Sequence, residues 1–215
     1  MPLIHKREIN RSAFWGIWEV TESEKELLAS YPANESEISL LNSFSHSFRR
    51  TQFLASRLLL HTLVPGSKIS YDENGKPWLD NRGIFISISH SASFIAILID
   101  TMRCGIDIEI IRPKIERIVP KFLCEREIEE SNAEPLTERL HVYWCVKEAL
   151  YKVYGKKNVS LRTDIFVNKV HSTSSGTVNA TLTHDGIAIN REVRYERFRD
   201  CMLAWTESPH DEKTV

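Results

Sequence analysis

The chain has 215 residues, with 28 Lys and Arg against 29 Asp and Glu, a formal net charge of −1 and a pI near 6.7. That balance excludes the global basic excess of a nucleic-acid binder, while a local anion site stays compatible with it. Cys104, Cys124, Cys145 and Cys201 are widely spread with no C-x-x-C pair. They therefore suggest neither a zinc site nor a disulfide framework. No apolar run reaches the length of a signal core or membrane span, so a cytoplasmic protein with reduced thiols is expected.

In chain order, residues 14–20 read as a strand, and Thr21-Glu22-Ser23-Glu24 has the capping-box form that opens a helix ending near Pro32. Residues 43–63 read as one long amphipathic helix, stopped by Pro65-Gly66. Short strands at 68–71 and 76–79 flank Asp72-Glu73-Asn74-Gly75, whose Asn-Gly is a hairpin signal. Strands at 84–89, 94–100 and 104–110 follow with short turns, which favours an antiparallel meander. Helical segments dominate 115–154. Strands near 164–170, 177–183, 187–197 and 201–206 come next, and a polar tail from Glu207 is expected to be disordered. Helices then strands, twice over, predict an α+β protein of two halves, 1–104 and 105–206, with a 207–215 tail.

The chemistry concentrates in two segments. In Gly105-Ile106-Asp107-Ile108-Glu109, acids at i and i+2 share one strand face, roughly 6–7 Å apart. Two acids in an apolar run need their charge compensated. A hard divalent cation such as Mg²⁺ does this with oxygen ligands; a solvated strand face or an ion-pair network are the alternatives. About 35 residues on, Trp144-Cys145-Val146-Lys147-Glu148-Ala149-Leu150-Tyr151-Lys152 sits in a stretch, 136–154, that neither Gly nor Pro interrupts. Glu148 and Lys152 share a helix face, either as a surface pair or as a third carboxylate with a phosphate-binding lysine beside it. Lys147 points to a different face.

Together these segments resemble the Sfp-type 4'-phosphopantetheinyl transferases, marked by a G-[IV]-D-[IV]-E strand and a W-x-x-K-E-x-x-x-K helix. Asn74-Gly75-Lys76-Pro77-Trp78-Leu79 is similar to that family's G-K-P turn, and Phe85-Ile86-Ser87-Ile88-Ser89-His90-Ser91 to its F-N-x-S-H-S strand. Ser87 stands where the family usually has Asn. Arg50-Thr51, leading into 54–60, is similar to the first long helix. The resemblance spans roughly 49–152, with no motif in the first 48 residues.

The resemblance implies two related α/β subdomains about a pseudo-twofold axis, with mainly antiparallel sheets and the ligand in the cleft between them. It implies transfer of the phosphopantetheine arm of coenzyme A to a serine of an apo acyl or peptidyl carrier protein, releasing adenosine 3',5'-bisphosphate. Asp107, Glu109 and Glu148 would hold Mg²⁺, and Lys152 would meet a diphosphate oxygen. Lys76 and His90 would take the 3'-phosphate, Ser89 a phosphate, and Arg50 and Thr51 the nucleotide end. The base would be Glu148 or a water held by Asp107 and the metal. Residues 112–123 mix cations with apolar side chains, which suits docking an acidic carrier helix or equally a half-buried surface helix. A monomer without nucleic-acid or membrane partners is expected. A non-catalytic homologue that binds coenzyme A or a carrier protein, and a hydrolase that uses the same acids, are the competing classes.

Overall fold

The computed structural model describes residues 3–80, 83–132 and 136–207; the end of the expected tail, 208–215, lies outside them. The chain opens with β1 (Leu3–Glu8) and β2 (Phe14–Glu19), then α1 (Glu24–Ser30), α2 (Glu35–Ser43) and α3 (Ser47–Leu63). The hairpin β3 (Ile69–Tyr71) and β4 (Pro77–Leu79) leads into β5 (Phe85–Ser91), β6 (Phe94–Asp100) and β7 (Ile106–Ile110). A 3-10 turn at Pro113–Ile118 precedes α4 (Val119–Phe122), α5 (Glu125–Ser131) and α6 (Leu136–Tyr154). The strands β8 (Ile165–Val167), β9 (Ser175–His184), β10 (Ile187–Phe198) and β11 (Cys201–Thr206) complete it.

The architecture is α+β with antiparallel sheets. One sheet runs β1-β2-β6-β5 and the other β7-β11-β10-β9-β8. Four layers result. α3 covers the first sheet through Ile95, Ile97 and Ile99, on β6, beside Leu54 and Leu59. The other face of that sheet, with Trp15, Ile17, Ala96 and Leu98, meets Ile106, Ile108, Leu203 and Trp205 of the second. The far face of the second sheet, with Val193, Met202 and Ala204, packs on α6 through Val142, Cys145 and Ala149. All seven residues of β6 are buried, so β6 reads as a continuous apolar run rather than an alternating one.

Three expectations need correction. First, the meander stops at β6: β7 crosses to the second sheet and pairs with β11, Asp107 opposite Ala204. Short turns license an antiparallel hairpin but cannot forbid the next strand from joining another sheet. Second, residues 43–63 are not one helix. Phe44 leaves helical geometry at ψ 121° and packs on Phe53, ring centroids 5.5 Å apart. Third, α1 is capped by Ser23, whose side chain accepts from Glu26 N while Glu26 returns the bond, so the overlapping Ser23–Glu26 box wins over Thr21–Glu24. A further strand that the sequence reading left unassigned, β1, pairs with β2, although Leu3–Glu8 carries no strong strand pattern. At the other end, Glu207 packs in place through a 2.8 Å ion pair with Arg194.

Candidate active site

Strand alternation on β7 sorts its side chains. Ile106 and Ile108, wholly buried, enter the core between the sheets, and Asp107 and Glu109 point the other way, toward α6. Gly105 sets the distance. A Cβ there would lie 1.9 Å from the backbone oxygen of Ala149, so only glycine lets the strand approach the helix this closely. That approach brings Lys152 onto Asp107: its Nζ donates to Asp107 Oδ1 at 2.7 Å and to the Ile106 carbonyl at 2.8 Å. Ser89 Oγ donates to the same carboxylate oxygen at 2.7 Å, and Ser91 Oγ donates to Glu109 Oε2 at 2.7 Å.

The three acids press on one another. Glu148, half-buried one turn before Lys152, has its pKa pushed up to about 7, first by burial and then by the Asp107 charge, with Lys152 opposing. Glu109 is raised by burial and then by Asp107, against Ser91, Lys152 and Trp144. Asp107 is 3% exposed, and its Oδ2 is buried without a partner. Among the described residues no group of three or more His, Cys, Asp or Glu is gathered closely enough to hold a metal ion; the Lys152 ammonium sits against Asp107. A cation nevertheless fits the chemistry: three hard oxygen donors face one ammonium, and one buried oxygen has nothing to accept from.

A cleft of about 500 Å³ opens beside these acids, lined by Phe44, Arg49, Phe53, Tyr71, Pro77 and His90 among others. It shares Gly75, Pro77 and Ile88 with a smaller one of about 190 Å³ that holds Lys76, Ser87, Tyr151 and Lys152. Arg49 Nη1 lies 3.0 Å from His90 Nε2, and among the described residues no carboxylate pairs with Arg49. Burial first, then the Arg49 charge, hold the His90 pKa below its usual value. Two basic groups facing each other beside the cleft are suited to an anion. Lys76 reaches across to donate to the Val153 carbonyl at 2.9 Å, and burial lowers its pKa. On the other side of Glu109, a third cavity of about 210 Å³ is lined by Trp144, His141, Arg112, Lys114 and Ile115.

The structure thus links Asp107, Glu109, Glu148, Lys152 and Ser89 through hydrogen bonds and charge, and puts His90, Lys76 and Lys152 in two adjoining cavities. Arg50 is committed elsewhere. Its guanidinium grips Glu24 at 2.6 and 2.8 Å and donates to the Leu41 carbonyl at 2.7 Å, so it ties α1, α2 and α3 together. Thr51 bonds back to the Phe48 carbonyl. The cleft-facing cation is Arg49, one residue earlier; helix phase could have found it, since 49, 52, 53 and 56 share a face and all line the cleft. Lys147 is wholly buried, paired with Glu127 at 2.6 Å and donating to the Leu161 and Ile165 carbonyls, which is a structural role.

About half of the chain is similar to known proteins. Residues 103–204 match the family model of the 4'-phosphopantetheinyl transferase superfamily. The chain is 36% identical over 115 residues to the 4'-phosphopantetheinyl transferase AcpT of Escherichia coli K12, covering 50% of this chain and 59% of that protein. It is 30% identical over 105 residues to a 4'-phosphopantetheinyl transferase of Bacillus subtilis (47% and 46% covered) and 31% over 109 residues to the 4'-phosphopantetheinyl transferase psf-1 of Bacillus pumilus (46% of each). The chain therefore spans about half the length of the curated relatives it matches. The matched stretch, just under half of the chain, holds both β7 and α6, and over it this chain is similar to the 4'-phosphopantetheinyl transferase superfamily.

Proposed function

We propose that this chain transfers the 4'-phosphopantetheine arm of coenzyme A to a serine hydroxyl of an apo acyl or peptidyl carrier protein, releasing adenosine 3',5'-bisphosphate. The observation that carries it is the meeting of Asp107, Glu109 and Glu148 with Lys152 beside a cleft whose outer end is Arg49 and His90. Cations at one end, a carboxylate cluster in the middle and a cavity with Trp144 at the other end suit a long ligand with a terminal phosphate, a diphosphate and a slender arm.

Arg49 and His90 would take the 3'-phosphate, Lys76 joining them on leaving the Val153 carbonyl. Lys152 would meet a diphosphate oxygen. Asp107, Glu109 and Glu148 would hold Mg²⁺, which supplies neutralisation of the charge that develops on the leaving group. Glu148 would accept the serine proton as the serine oxygen attacks the phosphorus carrying the pantetheine. The bond from that phosphorus to the bridging oxygen breaks, and adenosine 3',5'-bisphosphate leaves with the electron pair. Arg112 and Lys114, flanking the Trp144 cavity, would face an acidic carrier helix. The proposal carries with it a monomer of two subdomains, 1–104 and 105–206, about a pseudo-twofold axis, acting in the cytoplasm. Among the described residues no helix is long and apolar enough to cross a membrane.

The test uses coenzyme A with a fluorophore on its thiol and a panel of apo carrier proteins. Label on a carrier serine supports the transferase. Coenzyme A bound but never transferred would favour a non-catalytic binding homologue, and free labelled phosphopantetheine would favour hydrolysis.

A further inference from the structure

β5 and β7 are the facing edges of the two sheets, and among the described residues no backbone ladder joins them: β5 pairs with β6, and β7 with β11. The β7 amides that point away from β11 need acceptors, and serines supply them. Ile106 N donates to Ser87 Oγ at 3.0 Å, Ile108 N to Ser89 Oγ at 3.3 Å, and Ile110 N to Ser91 Oγ at 3.1 Å. Both triplets have the period of two that one strand edge requires. Two of the three hydroxyls then pass their own proton on, Ser89 to Asp107 and Ser91 to Glu109, each at 2.7 Å.

We infer that this serine ladder is the positioning device of the carboxylate pair, with Ser91 the positioning residue of Glu109; the inference rests on Glu109 being a ligand in the proposed metal-assisted reaction. A hydroxyl is suited to the place because a single atom both accepts the strand amide and donates to the acid. Alanine would orphan the Ile110 amide and free the Glu109 carboxylate to rotate, and an amide side chain would split donor and acceptor between two atoms and push the strands apart. The ladder also couples the register between the sheets to the spacing of the acids, since the same hydroxyl fixes both. Groups that orient a metal ligand change metal affinity or activity about 10–100-fold when removed.

The experiment compares wild type, Ser91→Ala and Ser91→Thr by Mn²⁺ affinity without coenzyme A, by amide exchange at Ile106 and Ile110, and by kcat and KM for coenzyme A. Ser91→Ala should weaken Mn²⁺ and lower kcat by about tenfold or more. It should speed exchange at Ile110 but not at Ile106 and leave KM within about twofold. Ser91→Thr, which keeps the hydroxyl, should restore all of these. Unchanged Mn²⁺ affinity in Ser91→Ala, or a Thr variant with a protected Ile110 amide and no recovery of affinity, would overturn the inference. Should Ser91→Ala not fold, Ser91→Cys, similar in size and a weaker donor, carries the same comparison. A wild type that transfers nothing while its Mn²⁺ affinity still follows Ser91 would sink the proposed function and keep the ladder.

Discussion

At the scale of single residues, three carboxylates face one ammonium, and pH reports it. The Glu148 pKa rises from its ordinary 4.5 to about 7 in the folded protein, so between those values the native state holds more protons than the unfolded chain. The metal-free protein therefore loses stability as pH climbs from about 4.5 to about 7. Melting temperatures across that range should fall, and Glu148→Gln should flatten the slope; an equal slope in the variant would mean that another group sets it. At the other end of the cleft, Arg49→Ala and His90→Ala should each weaken coenzyme A roughly tenfold, the scale of one charge-assisted bond of about 1.5 kcal/mol, with dephospho-coenzyme A almost unaffected. Equal losses for both ligands would remove the 3'-phosphate role. Spacing put Asp107 and Glu109 on one strand face and Glu148 and Lys152 on one helix face, and left a solvated face or a surface pair open; only the resemblance joined the two segments. The choice between Arg49 and Arg50 was not legible: Glu24, which claims Arg50, lies 26 residues away on another helix.

At the scale of elements, the site depends on how closely β7 approaches α6. Gly105→Ala would force its methyl onto the Ala149 carbonyl. Overpacking against backbone costs about 1–3 kcal/mol or more, and the separation of the acids from α6 changes with it. Melting temperature and transfer should both drop in that variant; wild-type activity in a folded Gly105→Ala protein would refute the close-packing account. On the opposite face of α6, Lys147→Met should destabilise by about 3–5 kcal/mol, because it leaves the Glu127 carboxylate buried without its cation. Denaturant unfolding measures this, and a loss under about 1 kcal/mol would mean that Glu127 finds other donors. The existence of α6 and β7 could be read from helix propensity and β-branching. Which sheet β7 joins could not, because short turns constrain neighbours in sequence and only the buried face of Ile106 and Ile108 selects the partner sheet.

At the scale of the molecule, the intersheet core and the serine ladder join what the sequence divides. Trp15 and Trp205, ring centroids 5.3 Å apart, come from opposite ends of the chain and pack where the sheets meet. The mostly antiparallel α+β class was legible from alternating helical and extended patterns. The stacking of the two sheets was not, since no local period encodes which of two buried faces meets which. The proposed site lies along this junction: Ser89, Ser91, His90 and Lys76 come from one side and Asp107, Glu109, Glu148 and Lys152 from the other. The most direct test is the intact mass of an apo acyl carrier protein after incubation with this chain, coenzyme A and Mg²⁺. The mass should rise by one phosphopantetheine, stop rising with a chelator, recover on added Mg²⁺, and stay unchanged with Asp107→Ala. No gain on any of several carrier proteins, or a gain that persists with a chelator and in Asp107→Ala, would contradict the account.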